Sequence, residues 1–232
     1  MRVTPRVLSF DLDDTLWACH EVIERAEQAL HDWLQRHYPR IPAEYDRAAM
    51  RDVRRQMAEA RPALGADLTA LRRESLAWHA ERAGYDRALA EEGVAVFLRE
   101  RQRVTPFADV RPALEALARD YPLVALTNGN ADIRRTELGH LFRHTFSAAD
   151  VGAAKPDPAL FRAACDALGV RTAELVHIGD DPLRDVHGAR RFGARTVWVR
   201  RAFAPWPDGV GRAHHEIASL TELPPLLAAA AG

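Results

Sequence analysis

The stretch LSFDLDDTLW, residues 8–17, joins a short apolar run to three acidic side chains. The apolar run RVLSF (6–10) has the length and composition of a strand that is buried on both faces of a parallel sheet. Asp11, Asp13 and Asp14 follow it directly. Carboxylates this close together repel one another, so a buried strand that ends in them needs a cation or other compensating groups nearby. The stretch therefore indicates a functional site where the first strand ends.

Three more apolar runs occur later in the chain, and helical patterns alternate with them. The runs are PLVALT (122–127), ELVHIG (174–179) and RTVWVR (195–200), and the helical patterns cover 110–120, 158–169 and 183–193. Asp109 and Asp157 precede the first two helices and are their expected N-caps. Alternating strands and helices predict an α/β fold with a Rossmann-like, doubly wound parallel sheet.

The chain between residues 18 and 104 contains no such apolar run. Its patterns predict four helices, at 21–37, 43–60, 67–83 and 87–101. We therefore predict a Rossmann-like core domain formed by 1–17 and 105–232, and an inserted all-helical domain formed by 18–104. The apolar stripes of the inserted helices are expected to form a bundle core rather than a groove for a partner.

The composition is that of an ordinary globular chain without a strong overall charge. Charged residues make up 28% of the 232 residues and the formal net charge is −1, which favours neither nucleic acid nor a membrane surface as a partner. No apolar run approaches the roughly 20 residues of a membrane span. Cys19 and Cys165 are too few for a disulfide framework or a zinc cluster. We expect a cytoplasmic monomer or weak dimer whose partner is a small molecule.

A second acidic cluster follows the ELVHIG run. Asp180 and Asp181 come directly after it, and Asp185 lies about one helical turn further on. Ligands of open α/β sheets bind beyond the carboxyl ends of the strands, where this cluster and the first one would meet. Taken alone, DLDD also fits a turn or a helix cap. Together, the two clusters predict a Mg²⁺ site built from the Asp11 and Asp180 carboxylates and the Asp13 carbonyl, because Mg²⁺ prefers oxygen ligands.

The loop LTNGN (126–130) follows another strand and offers polar groups at the same edge. Asn-Gly is also a strong hairpin signal. The next segment, ADIRRTELGHLF (131–142), has a helical pattern rather than that of a return strand. The loop therefore predicts an anion site at a helix N-terminus, to which Thr127 and Asn128 contribute.

Lys155 is the single lysine among 32 basic residues, and all the others are arginine. A lone lysine is most often a solvated surface residue. Lysine is a compact point charge whereas arginine is a broad planar fork, so a tight site can distinguish them. We hypothesise that Lys155 occupies such a site.

Four motifs occur in an order that is known from one family. They are DLDDT (11–15), LTNG (126–129), KPDP (155–158) and GDDPLRD (179–185). With them the chain resembles the haloacid dehalogenase-like (HAD) superfamily of hydrolases, and the inserted helices resemble its four-helix cap of the C1 type. The resemblance implies a Rossmann-like core with a helical cap domain.

The resemblance also implies a role for each aspartate of the first motif. Asp11 would be the nucleophile that forms an aspartyl-phosphate, and Asp13 would be the general acid and base. Mg²⁺ would be held by Asp11, the Asp13 carbonyl and Asp180. Asp14 would have a structural role in the turn.

The remaining motifs would hold the phosphate and support the metal. Thr127, Asn128 and Lys155 would bind the phosphoryl group. Lys155 would also pair with the nucleophile. Asp185, and Asp181 with it, would anchor metal-bound waters or Lys155 from a second layer.

The presence of Asp13 favours a phosphatase over a dehalogenase, because a leaving alcohol needs a proton and a leaving halide does not. A phosphomutase or other phosphotransferase, and a non-catalytic binding protein, are the alternatives. Within the family the pattern is most similar to the phosphatases of FMN and 5-amino-6-(5-phospho-D-ribitylamino)uracil. Trp17 would either contact a substrate ring or pack inside the protein, and His177 is expected to be a hydrogen-bonded core residue.

Overall fold

Six strands form one parallel sheet in the described part of the chain. The computed structural model describes residues 5–201 and 206–231. The strands are β1 (Val7–Phe10), β2 (Leu123–Thr127), β3 (Phe142–Ser147), β4 (Leu175–Gly179), β5 (Arg195–Val199) and β6 (His215–Ile217). They pair in the order β3–β2–β1–β4–β5–β6, and every neighbouring pair is parallel. The predicted α/β class is confirmed.

The central strands β1, β2 and β4 are buried along their whole length, as their apolar runs predict. Phe10, the last residue of β1, lies beside Ala125 of β2 and Ile178 of β4. The chain segments that follow these three strands therefore leave the sheet at the same edge. This edge is where polar side chains of distant segments come together.

Strands β3 and β6, at the two edges of the sheet, are not predicted by the sequence patterns. The helix that we expected after LTNGN is wrong, because two short 3₁₀ turns, Ile133–Arg135 and Gly139–Leu141, lead into β3 instead. Thr136 ends the first turn in an extended conformation, with φ −106° and ψ 168°. Its hydroxyl donates to the Ile133 carbonyl at 2.7 Å.

The helices alternate with the later strands and fill the segment before β2. They are α1 (Cys19–His37), α2 (Arg40–Glu44), α3 (Arg47–Ala60), α4 (Leu68–Arg82), α5 (Leu89–Arg101), α6 (Val110–Leu117), α7 (Ala148–Val151), α8 (Ala159–Leu168), α9 (Gly188–Phe192) and α10 (Leu223–Ala231). A π-helical turn, Pro182–His187, precedes α9. Asp157 caps α8 by accepting the Ala159 N–H at 2.9 Å. Asp109 does not cap α6 with its side chain, which binds the Arg201 guanidinium instead.

The chain divides into two compact units. One contains the residues up to Ala18 and from Thr105 onwards, and the other is Cys19–Val104. The first unit is the α/β unit, and it contains the sheet. The second, the helical unit, contains α1–α5 around an apolar core that includes Leu30, Leu34 and Phe97. The helix expected at 43–60 is two helices, because Asp46 caps α3 by accepting the Ala49 N–H at 2.7 Å.

Within the described ranges, every helix is too short or too polar to cross a membrane.

Candidate active site

The end of β1 places Asp11 beside the end of β4. The Asp11 backbone N–H donates to the Ile178 carbonyl at 2.9 Å, which extends the pairing of the two strands by one residue. Carboxylate oxygens of Asp11, Asp180 and Asp185 all lie within 4.8 Å of one another. The two acidic clusters of the sequence therefore meet at one point, with Asp185 as an additional member.

Lys155 lies inside this cluster. Its ammonium donates to Asp11 Oδ1 at 2.6 Å, to Asp185 Oδ1 at 2.7 Å and to the Leu126 carbonyl at 2.8 Å. Its side chain is only 1% exposed, so Lys155 is not a solvated surface residue. Burial opposes its charge, but Asp11 and Asp185 outweigh burial and hold the pKa of Lys155 above its usual value. The ammonium is therefore a fixed positive charge in the site.

The three carboxylates differ in how well their charge is compensated. Burial raises the pKa of Asp11 well above its usual value against the opposing effect of Lys155, and Asp185 and Asp180 raise it further. Burial and the charge of Asp185 raise the pKa of Asp180 to about 7. Burial opposes ionisation of Asp185 too, but Lys155 and a hydrogen bond to His177 lower the pKa of Asp185. Asp11 and Asp180 are thus the carboxylates that a bound cation would stabilise most, and this donor set fits a hard divalent ion.

Asn128 holds the backbone on either side of the Lys155 side chain. Its Oδ1 accepts the Lys155 N–H at 2.7 Å and its Nδ2 donates to the Lys155 carbonyl at 2.9 Å. Thr127 is 1% exposed, and its hydroxyl oxygen accepts the Gly129 N–H at 2.9 Å. Two short 3₁₀ turns follow this loop, so the helix N-terminus that we expected beside it is wrong, whereas the binding of an anion by Thr127 and Asn128 stays a prediction. The hydrogen bonds of Asn128 also fix the backbone that carries the Lys155 ammonium.

The turn after β1 orients Asp13. Asp14 adopts a left-handed conformation with φ 60°, and its N–H donates to the Trp17 carbonyl at 2.8 Å. Trp17 Nε1 donates to Asp13 Oδ1 at 2.9 Å, and the Trp17 side chain is fully buried. Of the two alternatives for Trp17, packing is therefore the one observed. In addition, its indole N–H restrains the Asp13 carboxylate.

Asp181 does not join the acidic cluster with its side chain. Its Oδ1 accepts the N–H groups of Leu183 and Arg184, both at 2.8 Å, and so begins the π-helical turn. Its backbone N–H donates to Asp185 Oδ2 at 3.0 Å. Gly179 makes room for this contact, because a Cβ atom there would lie 2.3 Å from the Asp185 carboxylate. The Asp181 N–H thus holds the Asp185 carboxylate in place, and Gly179 leaves the space that this carboxylate occupies.

The comparison with known proteins identifies the family. A family model described as haloacid dehalogenase-like hydrolase matches residues 5–193, which is most of the chain. The chain belongs to the HAD-like hydrolases. It is therefore an enzyme of the hydrolase class, as the four motifs predict.

Relatives of this HAD-like hydrolase include phosphatases and dehalogenases. It is 32% identical to the 5-amino-6-(5-phospho-D-ribitylamino)uracil phosphatase YigB of Escherichia coli K12 over 83% of this chain and 82% of the relative. It is 40% identical to the phosphoserine phosphatase of Thermus thermophilus, over 54% of this chain and 53% of that one. A crystal structure of 2-haloacid dehalogenase from Pseudomonas syringae pv. tomato DC3000 superposes with a TM-score of 0.89, at 38% identity, over 97% of this chain and 99% of that one.

Two buried residues of the HAD-like site lie outside the residues singled out from the motifs. The Thr15 hydroxyl donates to Asp180 Oδ1 at 2.7 Å and lies 3.5 Å from Asp11 Oδ2. His177 Nε2 lies 3.1 Å from Asp185 Oδ1, and its Nδ1 lies 2.9 Å from the Ser9 hydroxyl. His177 is thus the hydrogen-bonded core histidine that we expected, but its partner is a site carboxylate. Thr15 could have been suspected from its place inside DLDDT.

Proposed function

We propose that this HAD-like hydrolase is a Mg²⁺-dependent phosphatase that hydrolyses a small-molecule phosphate monoester through an aspartyl-phosphate. The observation that carries the proposal is the environment of Asp11. Its carboxylate meets the Lys155 ammonium at 2.6 Å and lies within 4.8 Å of the Asp180 and Asp185 carboxylates. A carboxylate nucleophile between a fixed positive charge and a metal-binding edge suits attack on a phosphorus that bears negative oxygens.

In the first step, an Asp11 oxygen forms a bond to phosphorus while the bond from phosphorus to the ester oxygen breaks. The Asp13 carboxylic acid gives its proton to the departing oxygen, so the product is a neutral alcohol. Trp17, which donates to Asp13 Oδ1 at 2.9 Å, keeps that acid in one orientation. Lys155 compensates the negative charge on the phosphoryl oxygens.

In the second step, water attacks the phosphorus of the aspartyl-phosphate. The Asp13 carboxylate takes a proton from this water, and the bond from phosphorus to the Asp11 oxygen breaks. Inorganic phosphate leaves, the Asp11 carboxylate is regenerated and Asp13 is again protonated. The two steps therefore return the site to its starting state with one water consumed.

The residues that would hold Mg²⁺ are Asp11, Asp180 and the Asp13 carbonyl. Burial raises the pKa of Asp11 and Asp180, so both carboxylates gain from a nearby cation. When bound, Mg²⁺ would supply positive charge that orients and neutralises the phosphoryl group. Thr127 and Asn128 are the proposed phosphate contacts beside Lys155, and Asp185 keeps that lysine in place with a 2.7 Å ion pair.

A dehalogenase is the second candidate, because a solved 2-haloacid dehalogenase superposes over almost the whole chain. Asp13 favours the phosphatase, since only an alkoxide leaving group requires a proton donor. A phosphomutase would use both aspartates and differs only in the acceptor of the phosphoryl group.

The proposed substrate is a flavin-pathway phosphate, either FMN or 5-amino-6-(5-phospho-D-ribitylamino)uracil. The support is the similarity to YigB over 83% of this chain. The balanced charge of the chain supports a small-molecule partner rather than nucleic acid or a membrane. A reducing cytoplasm and a monomer or weak dimer remain our expectation for its setting.

The test is phosphate and halide release by the purified protein. FMN, the ribitylaminouracil phosphate, several sugar phosphates and 2-chloropropionate are compared, each with Mg²⁺ and with EDTA. We expect Mg²⁺-dependent release of phosphate and no release of chloride. Asp11→Asn and Asp13→Asn should each lower phosphate release by roughly 10³-fold or more, because each removes a group that takes part in bond making.

The matched control is Asp157→Asn, the same substitution at the α8 cap of the KPDP motif, which should retain full activity since asparagine also caps helices. Chloride release that depends on Asp11 but not on Asp13 would establish the dehalogenase instead. Transfer of phosphate within a sugar phosphate, with no net release, would establish the mutase.

A further inference from the structure

Two polar side chains lie within the apolar strands at the centre of the sheet. Ser9 of β1 and His177 of β4 are register partners, with exposed fractions of 0% and 1%. Burial of a polar side chain costs free energy, which an apolar residue at either position would avoid. Positions that depart from the pattern of their own strand are expected at functional sites. Neither residue takes part in the mechanism proposed above, but their hydrogen bonds lead towards the candidate active site.

His177 donates a hydrogen bond to Asp185 and accepts one from Ser9. The Asp185 carboxylate is an acceptor at both oxygens, because Oδ1 binds the Lys155 ammonium at 2.7 Å and Oδ2 accepts the Asp181 N–H at 3.0 Å. His177 Nε2 lies 3.1 Å from Oδ1 and must therefore carry a proton. Burial lowers the pKa of His177, so the ring is neutral and its Nδ1 has no proton. Nδ1 then accepts the hydroxyl proton of Ser9 at 2.9 Å.

Ser9 determines which nitrogen of the imidazole carries the proton. In the other tautomer, the lone pair of His177 Nε2 would face the negative oxygen of Asp185. A hydroxyl that donates to Nδ1 stabilises the tautomer that has its proton on Nε2. The Val176 carbonyl, a second acceptor near the hydroxyl, is farther away at 3.5 Å. The Phe161 ring packs against the imidazole at 5.0 Å and an angle of 77°, so the ring plane is also restrained.

The Lys155 ammonium connects Asp185 to the candidate nucleophile. Its three N–H groups have three acceptors, which are Asp185 Oδ1, Asp11 Oδ1 and the Leu126 carbonyl. Asp11 and Asp185 therefore share one positive charge. The hydrogen bond from His177 stabilises the charge on Asp185 independently of the lysine. Without it, Asp185 would depend more on the ammonium and would draw it away from Asp11.

We propose that His177 is a positioning residue that keeps the Lys155 ammonium on Asp11. Its Nε2 proton, which Ser9 holds in place, satisfies part of the Asp185 carboxylate. The inference rests on the proposed function, because it requires Asp11 to be the nucleophile. His177 itself touches no reacting atom. Its loss should therefore slow the attack by Asp11 and change the surroundings of Lys155 at the same time.

The first measurement observes Lys155 directly and needs no turnover. Lys155 is the single lysine of the chain, so incorporation of lysine labelled with ¹⁵N at Nζ gives one side-chain NMR signal. The position of this signal depends on the hydrogen bonds of the ammonium. We expect it to move in His177→Met, which has no N–H to donate. It should return most of the way in His177→Gln, whose amide N–H can take the place of Nε2–H. Ser9→Ala should cause a smaller shift in the direction of His177→Met.

The matched control is Val7→Ala. Val7 lies two residues before Ser9, on the same face of β1, and is 1% exposed. The substitution removes apolar volume from the same core but no hydrogen bond. It should lower the stability of the protein and leave both the Lys155 signal and the activity at their wild-type values.

The second measurement is the kcat/KM for p-nitrophenyl phosphate, which reports the attack on the ester. The leaving group of this ester needs no proton, so the result is independent of the role of Asp13. His177→Met should lower kcat/KM roughly 10- to 100-fold, the usual effect of losing a group that orients a site residue. His177→Gln should recover most of this loss. In an Asp185→Asn background, His177→Met should have little further effect, because His177 acts through that carboxylate.

An unmoved Lys155 signal in His177→Met would overturn the proposal. A moved signal with wild-type kcat/KM, or full and additive losses from His177→Met and Asp185→Asn, would overturn it too. Failure of the proposed function has a different sign, because the wild type itself then releases no phosphate, and the Lys155 signal still shows whether His177 holds the ammonium. If His177→Met does not fold, Ser9→Ala and His177→Gln are compared in both measurements, and wild-type behaviour of Ser9→Ala in both would overturn the proposal.

Discussion

The guanidinium of Arg201 donates two hydrogen bonds to the carbonyl of Thr15, from Nε at 3.1 Å and from Nη2 at 3.0 Å. Its Nη1 lies 3.0 Å and 2.8 Å from the two carboxylate oxygens of Asp109. Asp109 Oδ2 also accepts the Leu220 N–H at 2.7 Å. One arginine thus joins the turn after β1 to two segments that are distant in sequence. Because the Thr15 hydroxyl contacts Asp180, this brace supports the candidate active site.

Arg201→Met is expected to lower the free energy of unfolding of the α/β unit by about 1.5–3 kcal/mol, the usual contribution of a hydrogen bond to a charged group. The substitution removes every polar contact of the guanidinium but keeps a side chain that can pack on the Phe107 ring, over which Arg201 now lies at 4.5 Å. Urea unfolding measures the difference. Arg119→Met, at an exposed position in the same unit, should change the stability by less than about 0.5 kcal/mol. Equal effects of the two variants would show that the brace is not stabilising.

The difference in stability between the wild type and Asp109→Asn should depend on pH. Burial opposes ionisation of Asp109, but Arg201 and the Leu220 and Ser219 donors outweigh it and hold the pKa of Asp109 below its usual value of 3.8. A carboxylate whose pKa is depressed on folding stabilises the protein above its unfolded-state pKa, and this contribution is lost as the pH falls through the folded-state value. The wild type should therefore exceed Asp109→Asn in stability at pH 6, and the gap should narrow below about pH 4.

Urea unfolding at several pH values between 6 and 3 measures that gap. The same comparison in an Arg201→Met background should give a smaller gap at pH 6, because the main donor to Asp109 is then absent. A gap that stays constant from pH 6 to pH 3 would contradict the assignment of the effect to the ionised carboxylate.

Lys155→Met should destabilise the protein by about 3–5 kcal/mol, because it leaves the Asp11 and Asp185 carboxylates in the interior without their shared ammonium. Adding Asp185→Asn to this variant should restore part of the lost stability, since one of the two uncompensated charges is then removed. Denaturant unfolding of the single and double variants measures both effects. A double variant that is less stable than Lys155→Met would show that Lys155 does not act by relieving repulsion between the two carboxylates.

Lys155→Arg tests the size of the same site. The ammonium has three acceptors within 2.8 Å and a side chain that is 1% exposed, so there is little room for a planar guanidinium. We expect phosphate release to fall at least roughly 100-fold in a protein that still folds. Full activity of Lys155→Arg would show that the site does not discriminate between the two cations.

Trp17→Phe should lower the rate of phosphate release by a factor that depends on the leaving group of the ester. Phenylalanine keeps an aromatic ring in the buried position but has no N–H to donate to Asp13. If that hydrogen bond orients the general acid, kcat should fall roughly tenfold for an alkyl phosphate, whose alkoxide needs a proton. p-Nitrophenyl phosphate should be affected much less, because its leaving group is stable without one. Equal losses for both esters would mean that Trp17 acts through packing alone.

The sequence predicts the centre of the fold better than its edges. The runs that become β1, β2 and β4 are continuously apolar because both faces of these strands are buried. Strand β3, with the sequence FRHTFS, is only partly buried and lies at an edge of the sheet. Its mixture of polar and aromatic residues carries no signal of a buried strand. The 3₁₀ turns before it resemble a helix in sequence because their apolar residues are spaced like those of a helical face.

The residues of the candidate site also divide into those that the sequence predicts and those that it does not. The convergence of Asp11, Asp180 and Lys155 follows from rules about strand ends and from the unusual composition of the chain. Contacts between residues far apart in sequence are not predictable in this way. Asp109 and Arg201 are 92 residues apart, and a chain in which nearly every cation is arginine gives no reason to single out this one.

The close approach of Asp185 to Gly179 restricts which residues can replace this glycine in evolution. Any side chain at Gly179 would occupy the space that the Asp185 carboxylate now fills, at 2.3 Å from the new Cβ atom. In a library of random variants, Gly179 should therefore tolerate as few replacements as the aspartates themselves, although it has no side chain to take part in the chemistry. Homologues that carry a larger residue at this position should also have lost the acidic residue that corresponds to Asp185, so the two positions should change together or not at all.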